Sequence, residues 1–224
     1  MRRMWAVVLA AMLAVSGYAI WDAEFVAQSA TVFADDAAVG ESLKATSAQS
    51  KNLVGWIKID GTKINQPIMQ GADNDYYLRH NYRDEYATAG SVFLDYRNAK
   101  DWSDDFAIVY GHRMDGRSMF GDVRSFEDDE FFAGHEWGSL SSDTKNWRVH
   151  VLGYAVIDAT EKLYSVKSFS RGRNQDVLRL IRQKKLQWRD GYEGGSLVLL
   201  STCDNNSRLY RDVLLVELRE EDGA

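Results

Sequence analysis

A mainly β fold, a barrel or a sandwich carrying one prominent helix, is predicted by three observations. Short apolar runs recur along the chain, clusters of Gly, Asn and Asp separate them, and a single segment shows a strong helical period. A length of 224 residues with 45% apolar content suits one well-buried core and does not call for two catalytic domains.

In chain order, Arg2 and Arg3 precede an uncharged, almost uninterrupted apolar run from Met4 to Trp21. A membrane span needs roughly 20 apolar residues and flanking arginines stay cytoplasmic, so residues 1–22 read as an anchor with the rest of the chain outside. Small residues at Gly17-Tyr18-Ala19 keep a cleaved signal peptide open as the alternative, and both readings export the remainder. Residues 23–51, rich in Ala, Ser and acidic residues with Phe25, Val32, Val39 and Leu43 loosely at helical spacing, read as a helical stalk. The body, 52–224, opens with Trp56-Ile57-Lys58-Ile59, a turn signal at Asp60-Gly61 and a second run from Ile64 to Met69. That pattern predicts a hairpin. Further strands are predicted at Ser91–Asp95, Phe106–Tyr110, Trp147–Ile157, Ser196–Thr202 and Asp212–Leu218. The one helix is expected over Asn174–Trp188, with Val177, Ile181 and Trp188 on one face.

A net charge of −6 speaks against a nucleic-acid partner, which needs a basic surface. It leaves peptides, sugars and small molecules. Export gives the single cysteine meaning, because an oxidising compartment favours paired cysteines and Cys203 has no partner in the chain. Cys203 ends the apolar strand Ser196–Thr202 and precedes the polar loop Asp204-Asn205-Asn206-Ser207, so it sits at a strand exit that substrate can reach. If that strand pairs antiparallel with Asp212–Leu218 through residues 204 to 210, Cys203 faces Arg211. Arg208 falls in the connection and remains the alternative. A guanidinium beside a thiol favours the thiolate and offers donors to an acyl-transfer oxyanion.

The leaving amine needs a proton, and histidine is the side chain matched to that near neutral pH. His80, His135 and His150 have no chemistry-bearing surroundings and read as surface or structural residues. His112 differs. It follows the run Phe106–Tyr110 and Gly111 at another strand exit and opens a glycine-punctuated loop, Arg113-Met114-Asp115-Gly116-Arg117-Ser118-Met119-Phe120-Gly121. The acidic run Glu127-Asp128-Asp129-Glu130 lacks the glycine-spaced pattern of a calcium loop and reads as a helix start, so no metal is expected.

Tyr110–Gly121 together with Leu200-Ser201-Thr202-Cys203 resembles the class B sortases of Gram-positive bacteria. Gly55–Ile59, Asp73–Leu78 and Gly90–Asn98 resemble that class in the same order, so the likeness covers most of the body. The resemblance implies a closed β-barrel of about eight strands with N-terminal helices and an added helix before the cysteine strand. It also implies a cofactor-free cysteine transpeptidase, single-pass with its N-terminus inside. Such an enzyme cleaves a sorting motif near the C-terminus of an exported protein, often of the Asn-Pro-x-Thr-x kind. It holds the acyl fragment as a thioester and passes it to an amine of a peptidoglycan cross-bridge or a pilin lysine. Carried over by position, Cys203 matches the nucleophile, His112 the acid/base and Arg211 the arginine opening the last strand, with Arg208 still possible. Tyr110, Ser201 and Thr202 are expected to shape the groove. Arg113 and Arg117 depart from the family pattern. A cysteine endopeptidase using water, and a catalytically silent surface-binding barrel, are the rival readings.

Overall fold

The computed structural model describes residues 12, 46–48, 50–113, 119–165, 172–203 and 209–220, with Cys203 described by its backbone alone. The expected anchor at 1–22, nearly all of the stalk at 23–51, the tip of the His112 loop and Arg208 lie outside the described residues. Among the described residues, no helix is long and apolar enough to cross a membrane.

Nine strands form one sheet: β1 (Leu53–Ile59), β2 (Asn65–Met69), β3 (Val92–Leu94), β4 (Phe106–Gly111), β5 (Trp137–Ser141), β6 (Asn146–Asp158), β7 (Lys185–Trp188), β8 (Ser196–Cys203) and β9 (Tyr210–Glu220). Their order is β5-β1-β2-β3-β4-β8-β9-β6-β7, and β5 also pairs with β6, so eight strands close on themselves and β7 hangs on β6. Closure removes the open edges that a sheet of this size would otherwise present. The predicted hairpin is β1–β2, antiparallel with Lys58 opposite Asn65, and Gly61 takes the left-handed conformation (φ 74°) that its turn requires.

Why several runs are apolar without alternation follows from what covers each face. On β8, Val198 and Leu200 join the barrel interior with Ile57, Val109 and Val216. Leu197 and Leu199 face outward, under a second cluster with Leu152, Leu215 and helix residues Val177, Leu178 and Ile181. A strand buried on both faces has no polar side to show.

The described fold also carries the α-helices α1 (Asp129–Gly134), α2 (Lys162–Ser165) and α3 (Asn174–Lys184), with 3-10 turns at Tyr76–Leu78 and Gly121–Glu127. The acidic run does start α1, where the Asp128 carboxylate caps the Phe131 N–H at 2.9 Å. The expected helix over Asn174–Trp188 is shorter than predicted. The backbone leaves helical geometry at Lys185 (φ −58°, ψ 138°), and Lys185–Trp188 pairs with β6 as β7. Trp188 fits the helical period in sequence but is placed by pairing with Gly153, where any side chain would collide with the indole at 2.8 Å. β5 was not predicted. Its sequence, Trp-Gly-Ser-Leu-Ser, alternates in burial yet lacks the β-branched residues that mark strands.

Candidate active site

Parallel β4 and β8 run side by side and end at the same rim. Their ladder closes with Tyr110 opposite Ser201 and Gly111 opposite Thr202, so the next residues in line are His112 and Cys203. β9 begins at this rim, antiparallel to β8, with Cys203 directly opposite Arg211. Three neighbouring strand ends thus bring the backbones of His112, Cys203 and Arg211 together, in the register that the sequence predicts for the last pair.

Beside these ends lies a groove of about 260 Å³, whose walls include Leu78, Tyr110, His112, Tyr164, Ser201 and Arg211. Gly111 is required at the turn out of β4, because a Cβ there would lie 2.6 Å from the Phe120 ring on the returning arm of the loop. The Leu78 carbonyl accepts a hydrogen bond from His112 Nε2 at 3.1 Å. That bond orients the ring and leaves Nδ1 for chemistry. The Arg211 guanidinium lies 5.4 Å from the centroid of the Tyr164 ring, a cation–π arrangement. Tyr164 in turn shares a 2.9 Å hydrogen bond with the Ser201 hydroxyl.

Of the expected groove residues, Tyr110 and Ser201 line it. Thr202 does not. It is fully buried, and alternation along β8 sets it on the interior side with Val198 and Leu200. The other histidines all have local structural partners. His80 stacks on Tyr76 at 3.9 Å and His135 on Phe131 at 3.9 Å, each ring bonding a backbone carbonyl four residues back. His150 is buried between Glu136 (3.2 Å) and Arg219 (2.8 Å). None of the three lines the groove. The described residues contain no group of three or more His, Cys, Asp or Glu able to hold a metal ion.

A buried hub behind the groove was not singled out in the sequence. Asp95, fully buried at the end of β3, receives both arms of Arg97 (2.8 and 2.6 Å), the Tyr110 hydroxyl (3.0 Å) and the Asn74 amide (2.9 Å). Arg97 also donates to the Tyr164 carbonyl at 3.0 Å, so one carboxylate ties both aromatic walls together. Burial acts to raise the Asp95 carboxyl, but hydrogen bonds from Arg97 and Asn74 outweigh it and hold the group below the usual carboxylate range. The same burial, with Asp95 beside it, pushes the Tyr110 hydroxyl far up, so Tyr110 stays a neutral donor.

A carboxylate depressed on folding contributes stability that is present above its unfolded value, about pH 4, and is lost as pH falls through the folded value. Asp95→Asn should therefore remove part of the acid limb of the stability curve. Loss of the anion also removes the partner of half-buried Arg97, so Asp95→Asn should be less stable at neutral pH as well. Urea unfolding of both proteins between pH 3 and 7 checks this; superimposable acid limbs would refute it.

No protein-family model matches the chain. Curated relatives do. Sortase B of Listeria monocytogenes is 34% identical over 183 residues, spanning 80% of this chain and 74% of the relative. The chain belongs to the sortase B family. Sortase B of Staphylococcus aureus is 34% identical over 113 residues, covering 50% of this sortase and 46% of that one. Among solved structures, a Bacillus anthracis protein similar to sortase B is 32% identical with a TM-score of 0.71, over 89% of this chain and 94% of the other. A Streptococcus pyogenes class B sortase involved in pilus biogenesis aligns with a TM-score of 0.72 at 28% identity, over 80% and 99% of the two chains. The sortase is thus a class B cysteine transpeptidase built on a closed barrel of eight strands.

Proposed function

We propose that Cys203, His112 and Arg211 are the catalytic set of this sortase and that its substrate is a sorting-motif peptide of an exported protein. One observation carries the assignment: Cys203 is opposite Arg211 on one side and, on the other, next in line beside the His112 end of β4. The Cys203 thiolate attacks the scissile carbonyl. Arg211 meets the oxyanion with its fork of N–H donors, and His112 as imidazolium protonates the leaving amine through Nδ1. The resulting thioester is resolved by an amine that His112 deprotonates, either of a peptidoglycan cross-bridge or of a pilin lysine. Arg211 is preferred to Arg208 because it opposes Cys203 directly and lines the groove. A substrate is in keeping with two relatives, a Staphylococcus aureus sortase B solved as a substrate complex and the pilus-biogenesis enzyme above.

Residues 1–22 serve as a membrane anchor that leaves the N-terminus inside, 23–51 as a stalk, and 52–224 as the extracellular catalytic domain. This rests on the arginine-flanked apolar run from Met4 to Trp21.

Transfer to an amine rather than to water is tested by incubating the enzyme with a panel of sorting-motif peptides and titrating in triglycine or a lysine peptide. The amine adduct should rise as hydrolysis product falls at constant total cleavage. Hydrolysis that ignores the added amine would instead identify a cysteine endopeptidase.

A further inference from the structure

The inner face of β9 is apolar at Leu214 and Val216, yet the position before them, Asp212, is a carboxylate only 2% exposed. A hydrophobic residue there would avoid the cost of burying a charge, and a buried ion pair is weak evidence of net stabilisation. Its value must be sought in geometry. Asp212 stands directly opposite Thr202, next to Arg211, and accepts the Tyr154 hydroxyl at 2.5 Å. Arg113, the residue after His112, brings its guanidinium to 3.8 Å from the second carboxylate oxygen. The two ends of this ion pair are therefore the chain neighbours of His112 and Arg211.

The loop stem is anchored in other ways as well, for His112 Nε2 donates to the Leu78 carbonyl at 3.1 Å, and Met119 and Phe120 are fully buried in the interior cluster that includes Leu214 and Val216. Phe120 N–H donates to the His112 carbonyl at 3.3 Å, and Arg113 forms a bridge with Met119. These contacts close the stem and bury its returning arm in the core, and the Arg113–Asp212 pair adds a direct link from the outgoing arm, next to His112, to β9. We propose that the Arg113–Asp212 pair is a positioning staple, which holds the stem of the His112 loop against the strand bearing Arg211 so that both catalytic groups keep their places about Cys203. The inference rests on the catalytic assignment above. Neither Arg113 nor Asp212 lines the groove.

Misplacement of a catalytic group by about 1 Å can cost 10²-fold in rate, so a lost staple should be read in kcat. Arg113→Gln and Asp212→Asn should each lower kcat for a motif peptide by about 10- to 100-fold with KM little changed. The double variant should be no slower than the slower single one, because both remove one coupled interaction. Arg113→Lys, which keeps the charge, should recover most of the loss. Arg219→Gln, breaking a 3.0 Å ion pair with buried Glu217 elsewhere on the barrel, should lower the melting temperature and leave kcat intact. An unchanged kcat in folded Arg113→Gln would overturn the proposal, as would additive losses in the double variant or an equal loss in Arg219→Gln. If Asp212→Asn does not fold, the partly exposed Arg113 position carries the test through its Gln and Lys variants. Cys203→Ala and His112→Ala are run alongside. Turnover surviving in those two would show that the catalytic assignment had failed, whereas their inactivity with a normal Arg113→Gln enzyme would sink the staple alone.

Discussion

Cys203→Ala is expected to fold with an unchanged melting temperature and to form no transpeptidation product. The chain contains no second thiol, so no neighbouring sulfur can take over the covalent step. Without a nucleophile the groove, His112 and Arg211 can still bind a peptide, but they cannot divide amide cleavage into thioester formation and aminolysis. Product formation should fall to the uncatalysed background while peptide binding, followed by fluorescence anisotropy, stays within a few-fold of the unaltered enzyme. Residual amine-dependent product would mean that another group attacks the carbonyl.

Arg211→Ala should have the second largest effect. Removing one oxyanion donor typically lowers kcat by about 10²- to 10³-fold. Arg211→Lys should not restore activity, because a point charge lacks the planar fork and cannot stack on Tyr164 in the same way. The two arginines near the thiol are separated by the same assay, with Arg208→Ala expected to retain near-normal turnover. Near-normal turnover in Arg211→Ala together with its loss in Arg208→Ala would reverse the assignment.

The reach of the sequence can be judged from particular residues. Runs such as Phe106–Tyr110 and Ser196–Thr202 announced themselves because strands covered on both faces are continuously apolar, and their polar exits marked His112 and Cys203. The Cys203–Arg211 register followed from counting across a closed antiparallel pair. β7 and the true end of α3 were hidden, since Lys185–Trp188 has a helix-forming composition and becomes a strand only by pairing with β6. β5 escaped because it has no β-branched residue and holds Gly138 and two serines in five positions. At the site, Thr202 was misplaced by one step of the two-residue strand alternation. Asp95 and Tyr164 could not be joined from sequence at all, because Arg97 links them across 67 residues through a backbone carbonyl. Asp95-Tyr96-Arg97 at a strand end was the only local sign, a carboxylate and a guanidinium spaced to meet.

The most direct measurement of the central claim is intact-protein mass spectrometry of the enzyme mixed with sorting-motif peptides in the absence of an added amine, followed by peptide mapping. A mass increase equal to the acyl fragment is expected, located on Cys203, discharged by hydroxylamine and missing in Cys203→Ala. An adduct on any other residue, or one that persists in Cys203→Ala, would contradict that claim.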